Sequence, residues 1–142
     1  MIPGRGLVLD ANILIRAVLG KRVRALLETY EDSAAIYSPD VCFDEAHENI
    51  PLILSNRGND PKTGIVLLDQ LRLFVQPVDE ALYQNFEHVA RGRVAMRDIE
   101  DWPVVAVALM LNVPIWTEDL FGGGIATWTT DRVELYLKGD HG

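Results

Sequence analysis

Carboxylates recur in this chain where apolar runs end. Leu7-Val8-Leu9 gives way to Asp10, and the run from Val113 to Thr117 gives way to Glu118-Asp119. Asp98, Glu100 and Asp101 crowd ahead of the apolar stretch Val104 to Leu111, and Glu45 lies among Val41, Cys42 and Ala46. Carboxylates drawn together without a counter-ion repel one another and resist ionising. A hard cation relieves this, and an all-oxygen donor set suits Mg²⁺ or Mn²⁺ rather than zinc. Mg²⁺ keeps several waters, one of which can act as nucleophile. Two such ions about 3.5–4 Å apart stabilise both the attacking and the leaving oxygen of a phosphodiester. The chemistry open to these acids is phosphodiester hydrolysis, provided the fold brings them together.

Each acid also has a structural reading. Asp10 stands where a strand hands over to a helix, and Asp is a preferred helix N-cap. Glu45, at about 100° per residue, falls near Val41 and Leu52 at the margin of an apolar face, whereas Asp44 and Glu48 turn to the polar side. An acid at such a margin needs a partner. Asp98, Glu100 and Asp101 suit the N-terminal end of a helix dipole, but three acids are more than one cap requires. Asp119 reads otherwise as a turn acid before Gly122-Gly123-Gly124. His47 and His88 fall on polar helix faces, His141 lies in the tail, and Cys42 reads as a small core residue.

The elements that must position these groups alternate. Leu7–Leu9 is apolar on both faces, as in a buried parallel strand, and Ile13, Leu14, Ala17 and Val18 follow at helical spacing. Val23, Leu26, Leu27 and Tyr30 mark a second helix, and Ala34–Tyr37 a second strand. Ser38-Pro39 suits the start of a third helix, which carries Val41, Cys42, Ala46, Leu52 and Ile53 inward and holds Pro51. Lys62–Leu71 is helical, Leu73–Val78 a third strand, and Glu80–Arg91 an amphipathic helix through Leu82, Phe86, Val89 and Ala90. Gly92–Arg97 is a connection. Val104–Leu111 is apolar all round, so its helix must be packed on most sides, and Asn112 is its C-cap. Val113–Thr117 and Ile125–Thr129 are strands four and five. Asp131–Lys138 closes the chain, with Asp131 and Glu134 at capping-box spacing. The expected fold is α/β: a three-layer, doubly wound, mostly parallel five-stranded sheet with helices on both faces. Such connections put the acids along one edge.

At 142 residues the chain is expected to form one domain, residues 1–142. No segment reaches the roughly 18 apolar residues of a membrane span, and the N-terminus lacks signal-peptide character, so the cytoplasm is the expected location. One cysteine excludes an internal disulfide. A net charge of −8 makes nucleic-acid binding depend on local basic clusters. Two are visible: Arg91, Arg93 and Arg97, which could position a phosphate backbone, and Lys21, Arg22 and Arg24.

Taken in order, the acidic motifs resemble those of the PIN-domain nucleases, and within them the small stand-alone type that includes the VapC-like toxins of bacteria and archaea. Leu7-Val8-Leu9-Asp10-Ala11-Asn12 is similar to the family's opening strand, Asp and Asn or Ser. Glu45 in Phe43-Asp44-Glu45-Ala46 matches the acid of the helix after strand two. Asp101 heads an apolar, alanine-rich helix, and Pro114-Ile115-Trp116-Thr117-Glu118-Asp119 matches the strand, Thr and final Asp. The resemblance implies a Mg²⁺- or Mn²⁺-dependent endoribonuclease with Asp10, Glu45, Asp101 and Asp119 as its acidic quartet. It also implies Asp98 as a further ligand and Asn12 and Thr117 as supporting residues. The implied partners are an RNA substrate, a cognate antitoxin and a second copy in a homodimer. The alternative within the fold is a non-catalytic scaffold that binds RNA or protein. A phosphoacceptor or phosphatase domain is a further class, but Asn12 stands where an aspartyl-phosphatase needs its second Asp, and Asp131-Arg132 follow strand five where a receiver domain needs Lys.

Overall fold

A computed structural model describes residues 5–94, 99–119 and 124–139. Strands β1 (Arg5–Leu9), β2 (Ala34–Pro39), β3 (Val75–Val78), β4 (Ile115–Trp116) and β5 (Thr127–Trp128) form one sheet in the order β3-β2-β1-β4-β5. Every pairing is parallel, with Leu7 opposite Ile36 and Val8 opposite Ile115. Leu7, Val8 and Leu9 are fully buried, as the unbroken apolar run requires of a central strand covered on both faces.

Helices α1 (Ala11–Leu19) and α2 (Arg22–Thr29) follow β1, and α3 (Asp40–Asn56) and α4 (Pro61–Gln70) follow β2. Helices α5 (Glu80–Tyr83), α6 (Glu87–Arg93) and α7 (Trp102–Leu111) follow β3, and α8 (Val133–Leu137) follows β5. α1 packs on α2, α3 and α4, whereas α7 packs on α5, α6 and the strands β1 and β2, giving a doubly wound arrangement. Trp102 to Ala108 are all buried, so α7 is the apolar wall its sequence demands; each such aliphatic side chain contributes about 1.5–3 kcal/mol by leaving water. Asn112 ends α7 in the left-handed region, φ 56°, which Asn tolerates.

Several local expectations are corrected. β2 runs through Ser38 and Pro39, and α3 begins at Asp40. Ser38 does not cap α3: its hydroxyl donates to Leu9 O at 2.8 Å, inside the sheet. α3 buries Cys42, Phe43, Ala46 and Ile50, while Leu52 is 63% exposed, because the larger Phe43 ring sets the helix phase. The stretch Glu80–Arg91 is not one helix, since a 3-10 turn, Gln84–Phe86, separates α5 from α6. Tyr83 is buried there rather than Leu82 and Val89, because its hydroxyl reaches Asp40 Oδ1 at 3.1 Å and its ring meets Trp102 edge-on. The expected capping box at the last helix does not form. Asp131 pairs with Arg22, and Glu134 accepts from the Tyr30 hydroxyl at 2.5 Å, so both acids tie the chain's end to α2 instead.

Candidate active site

The strand order reverses at β1, which has β2 on one side and β4 on the other. In open parallel sheets the crevice beyond the carboxyl ends at such a reversal is where ligands bind. Asp10 follows β1 directly, and Thr117 and Asp119 follow β4.

Asp10 serves both readings of it. It caps α1, with Oδ1 accepting from Ile13 N at 3.0 Å, and it borders the crevice. Its Oδ2 accepts from the Thr117 hydroxyl, which in turn accepts from Asp119 N at 3.0 Å. Thr117 is fully buried and so locks the first acid to the backbone of the last. Asp10 is only 6% exposed. Burial pushes its pKa up to about 6; the bonds from Thr117 and Ile13 work against the shift, and the charges of Asp119 and Asp101 add to it.

The other acids arrive from both layers. α3 presents Val41, Cys42 and Glu45 on one turn. A 3-10 turn, Ile99–Asp101, brings Asp101 in just before α7, where its side chain makes no capping bond to the helix. Capping therefore does not account for Asp101. Asp10, Glu45, Asp101 and Asp119 line one cleft of about 260 Å³. Glu80 and Glu100 line it too. Glu80 went unremarked in the sequence, although Asp79-Glu80 stands directly past β3 as Asp10 stands past β1. Its place is set by Asp40, whose Oδ2 accepts from Glu80 N at 3.2 Å. Cys42 is a buried core residue, as expected, but also part of this cleft: burial foremost, then the charges of Asp10, Glu45 and Asp101, push its pKa up and keep it a thiol.

The acids surround a common space without closing on one point, and among the described residues no three His, Cys, Asp or Glu side chains are set to hold an ion. The donor chemistry nevertheless fits a hard cation: every acid offers oxygen only, and Asp10 is held by two bonds in a place where its own charge is disfavoured.

Among the supporting residues, Thr117 bonds to Asp10, whereas Asn12 does not; Asn12 is exposed at the rim of the cleft. The arginines separate. Arg91 pairs with Glu87 at 2.6 Å and stacks over Trp102, 5.4 Å from the ring centre, beside the acids. Arg93 lines a hollow with Asn112, Pro114 and Ile125, at the amino ends of β4 and β5, the opposite edge of the sheet. Asp98 and Arg97 lie outside the described residues.

A model of the PIN domain family matches residues 8–138. Three solved structures share the fold. VapBC2 from Rickettsia felis, bound to a DNA fragment from its promoter, is 12% identical with a TM-score of 0.66, covering 87% of this chain and 98% of that one. FitAcB from Neisseria gonorrhoeae is 22% identical with a TM-score of 0.59, covering 87% and 97%. PAE2754 from Pyrobaculum aerophilum is 16% identical with a TM-score of 0.66, covering 96% and 91%. No curated protein matches the chain.

Proposed function

Because this chain belongs to the PIN domain family, we propose that it is an endoribonuclease dependent on Mg²⁺ or Mn²⁺. The observation that carries the reading is the meeting of Asp10, Glu45, Asp101 and Asp119, from four separate parts of the sequence, in one cleft at the strand-order reversal. Asp10, Asp101 and Asp119, with Asp98, would hold the metal. When bound, the ion activates a water and offsets the charge that builds on the phosphate.

The protein's own groups supply the geometry. Asp10 is fixed by Ile13 N and Thr117, so its remaining lone pairs keep one direction. Asp119 is tethered through its own N–H to the same hydroxyl. Glu45, exposed on α3, takes the proton of the attacking water. The water oxygen bonds to phosphorus, the bond to the 3′ oxygen breaks, and that oxygen is protonated from solvent. Trp102, buried under Arg91, walls the cleft on the α7 side.

The finer reading is a toxin held by a cognate antitoxin in the cytoplasm, the toxin itself a homodimer. It is supported by the likeness to VapBC2, which is recorded together with promoter DNA, and by the absence of any described helix long and apolar enough to cross a membrane. The test is cleavage of a mixed RNA pool with Mn²⁺: wild type cuts, and Asp101→Asn and Asp119→Asn do not. Equal cutting by the variants would defeat the proposal. The open spacing of the acids favours a second reading, a scaffold that binds RNA or protein without cutting. Calorimetry that finds no Mn²⁺ binding to the wild type would select it.

A further inference from the structure

A second and larger concavity, of about 700 Å³, adjoins the acid cleft and shares Asn12 and Asp119 with it. Arg16 from α1, Lys21 from the α1–α2 junction, Arg22 from α2 and Arg57 from the end of α3 line it. Its acids are largely engaged: Arg22 pairs with Asp131, and Glu118 Oε2 accepts from Thr130 N and Oγ1 at 2.8 and 2.6 Å. Arg16, Lys21 and Arg57 are exposed and have no ion-pair partner among the described residues. In a chain of net charge −8, three uncommitted cations drawn from three elements face one groove.

We propose that this groove holds successive backbone phosphates of single-stranded RNA and leads the strand over Asn12 and Asp119 into the acid cleft. This rests on the nuclease reading and extends it by naming the residues that hold the substrate. An acidic cleft repels a polyanion, so the strand must be held by positive charge beside it. Arginine forks bind phosphate bidentately and lysine adds a point charge. The groove adds cations to the cluster Arg91, Arg93 and Arg97 that the sequence offered for this part; of these, Arg93 lies at the far edge of the sheet. Nothing in the sequence joins Arg16 to Arg57; only the packing of α1 on α3 does.

The test is fluorescence anisotropy of a labelled oligouridine with the full chain in EDTA, where no cutting intervenes, over a range of salt. The triple variant Arg16→Gln/Lys21→Gln/Arg57→Gln should bind at least roughly tenfold more weakly at low salt. Its log–log salt slope should be shallower by about 2, at roughly 0.7 per phosphate contact. A control triple of equal charge change, Lys62→Gln/Arg72→Gln/Lys138→Gln, should bind as wild type does. Wild-type binding by the groove triple overturns the proposal, as does equal loss in both triples, which would reduce the effect to bulk charge. Displacement of the RNA by oligoglutamate at lower concentration than by unlabelled RNA also overturns it, making the groove a docking site for an acidic protein segment. Mn²⁺-dependent cutting measured in parallel separates the two readings: cutting that persists in the groove triple with unchanged KM sinks the groove alone.

Discussion

At the residue scale the site turns on Asp10 and Thr117. Asp10 was legible as a strand-end acid, and its two readings looked exclusive, cap or catalyst. They are compatible because a carboxylate has two oxygens, one for Ile13 N and one for the Thr117 hydroxyl. That hydrogen-bond relay was hidden in the sequence, since 107 positions separate the partners and only the β1–β4 pairing joins them. Burial raises Asp10 from 3.8 to about 6, so the folded protein holds its proton more tightly than the unfolded chain. This group therefore favours folding less as pH rises from about 4 through 6, and its full penalty applies above that. Relative to metal-free wild type, Asp10→Asn should gain about 1–2 kcal/mol of stability between pH 5 and pH 8. Urea melts at both pH values read it, and a pH-independent difference would refute the burial argument. Thr117→Val keeps the shape but removes both relay bonds, and should lose roughly 1–3 kcal/mol together with most activity, while Thr117→Ser restores both. A Val variant as active as wild type would leave the relay without function.

At the element scale, what the sequence shows clearly is period and burial. Leu7–Leu9 of β1 and the helix α7 were readable because each is apolar without interruption, and a segment buried on all sides has no phase to misjudge. α3, α5 and α6 are half-exposed, and there the register depends on which large side chain wins the inside. Phe43 displaces Leu52, and Tyr83 displaces Leu82, for reasons that lie in neighbouring elements. A close approach between helices at a glycine follows the same logic. A Cβ on Gly64 of α4 would stand 2.3 Å from Ile50 Cγ2 and 2.6 Å from Leu54 Cδ1 on α3. Ile50 is fully buried and cannot withdraw. Gly64→Ala would improve intrinsic helix propensity by about 1 kcal/mol, yet the overpacking should outweigh it and leave the protein roughly 1–3 kcal/mol less stable. A raised urea midpoint for this variant would show that α3 and α4 separate without cost.

At the scale of the whole molecule, charge is sorted by the edge and face it occupies. The acids that meet in the cleft come from the ends of β1 and β4, from α3 and from the turn before α7, while the uncommitted cations face the adjoining groove. Composition gives only the sum, −8, and hides this separation. Its thermodynamic consequence is that a divalent cation should bind the folded chain and not the unfolded one, where the four acids are dispersed. Mn²⁺ at about a hundredfold excess over its dissociation constant would add about 2.7 kcal/mol, on the order of 8 °C in Tm for a chain of this size. Sodium chloride at equal ionic strength should give little of this, because screening acts at long range whereas the buried Asp10 needs a ligand at contact distance. Asp10→Asn and Asp101→Asn should each lose most of the Mn²⁺ shift, and Asp44→Asn, on the polar side of α3, should keep it. If sodium chloride reproduces the full shift, or Asp44→Asn abolishes it as completely as Asp10→Asn does, the cleft is a patch of negative charge and not a metal site.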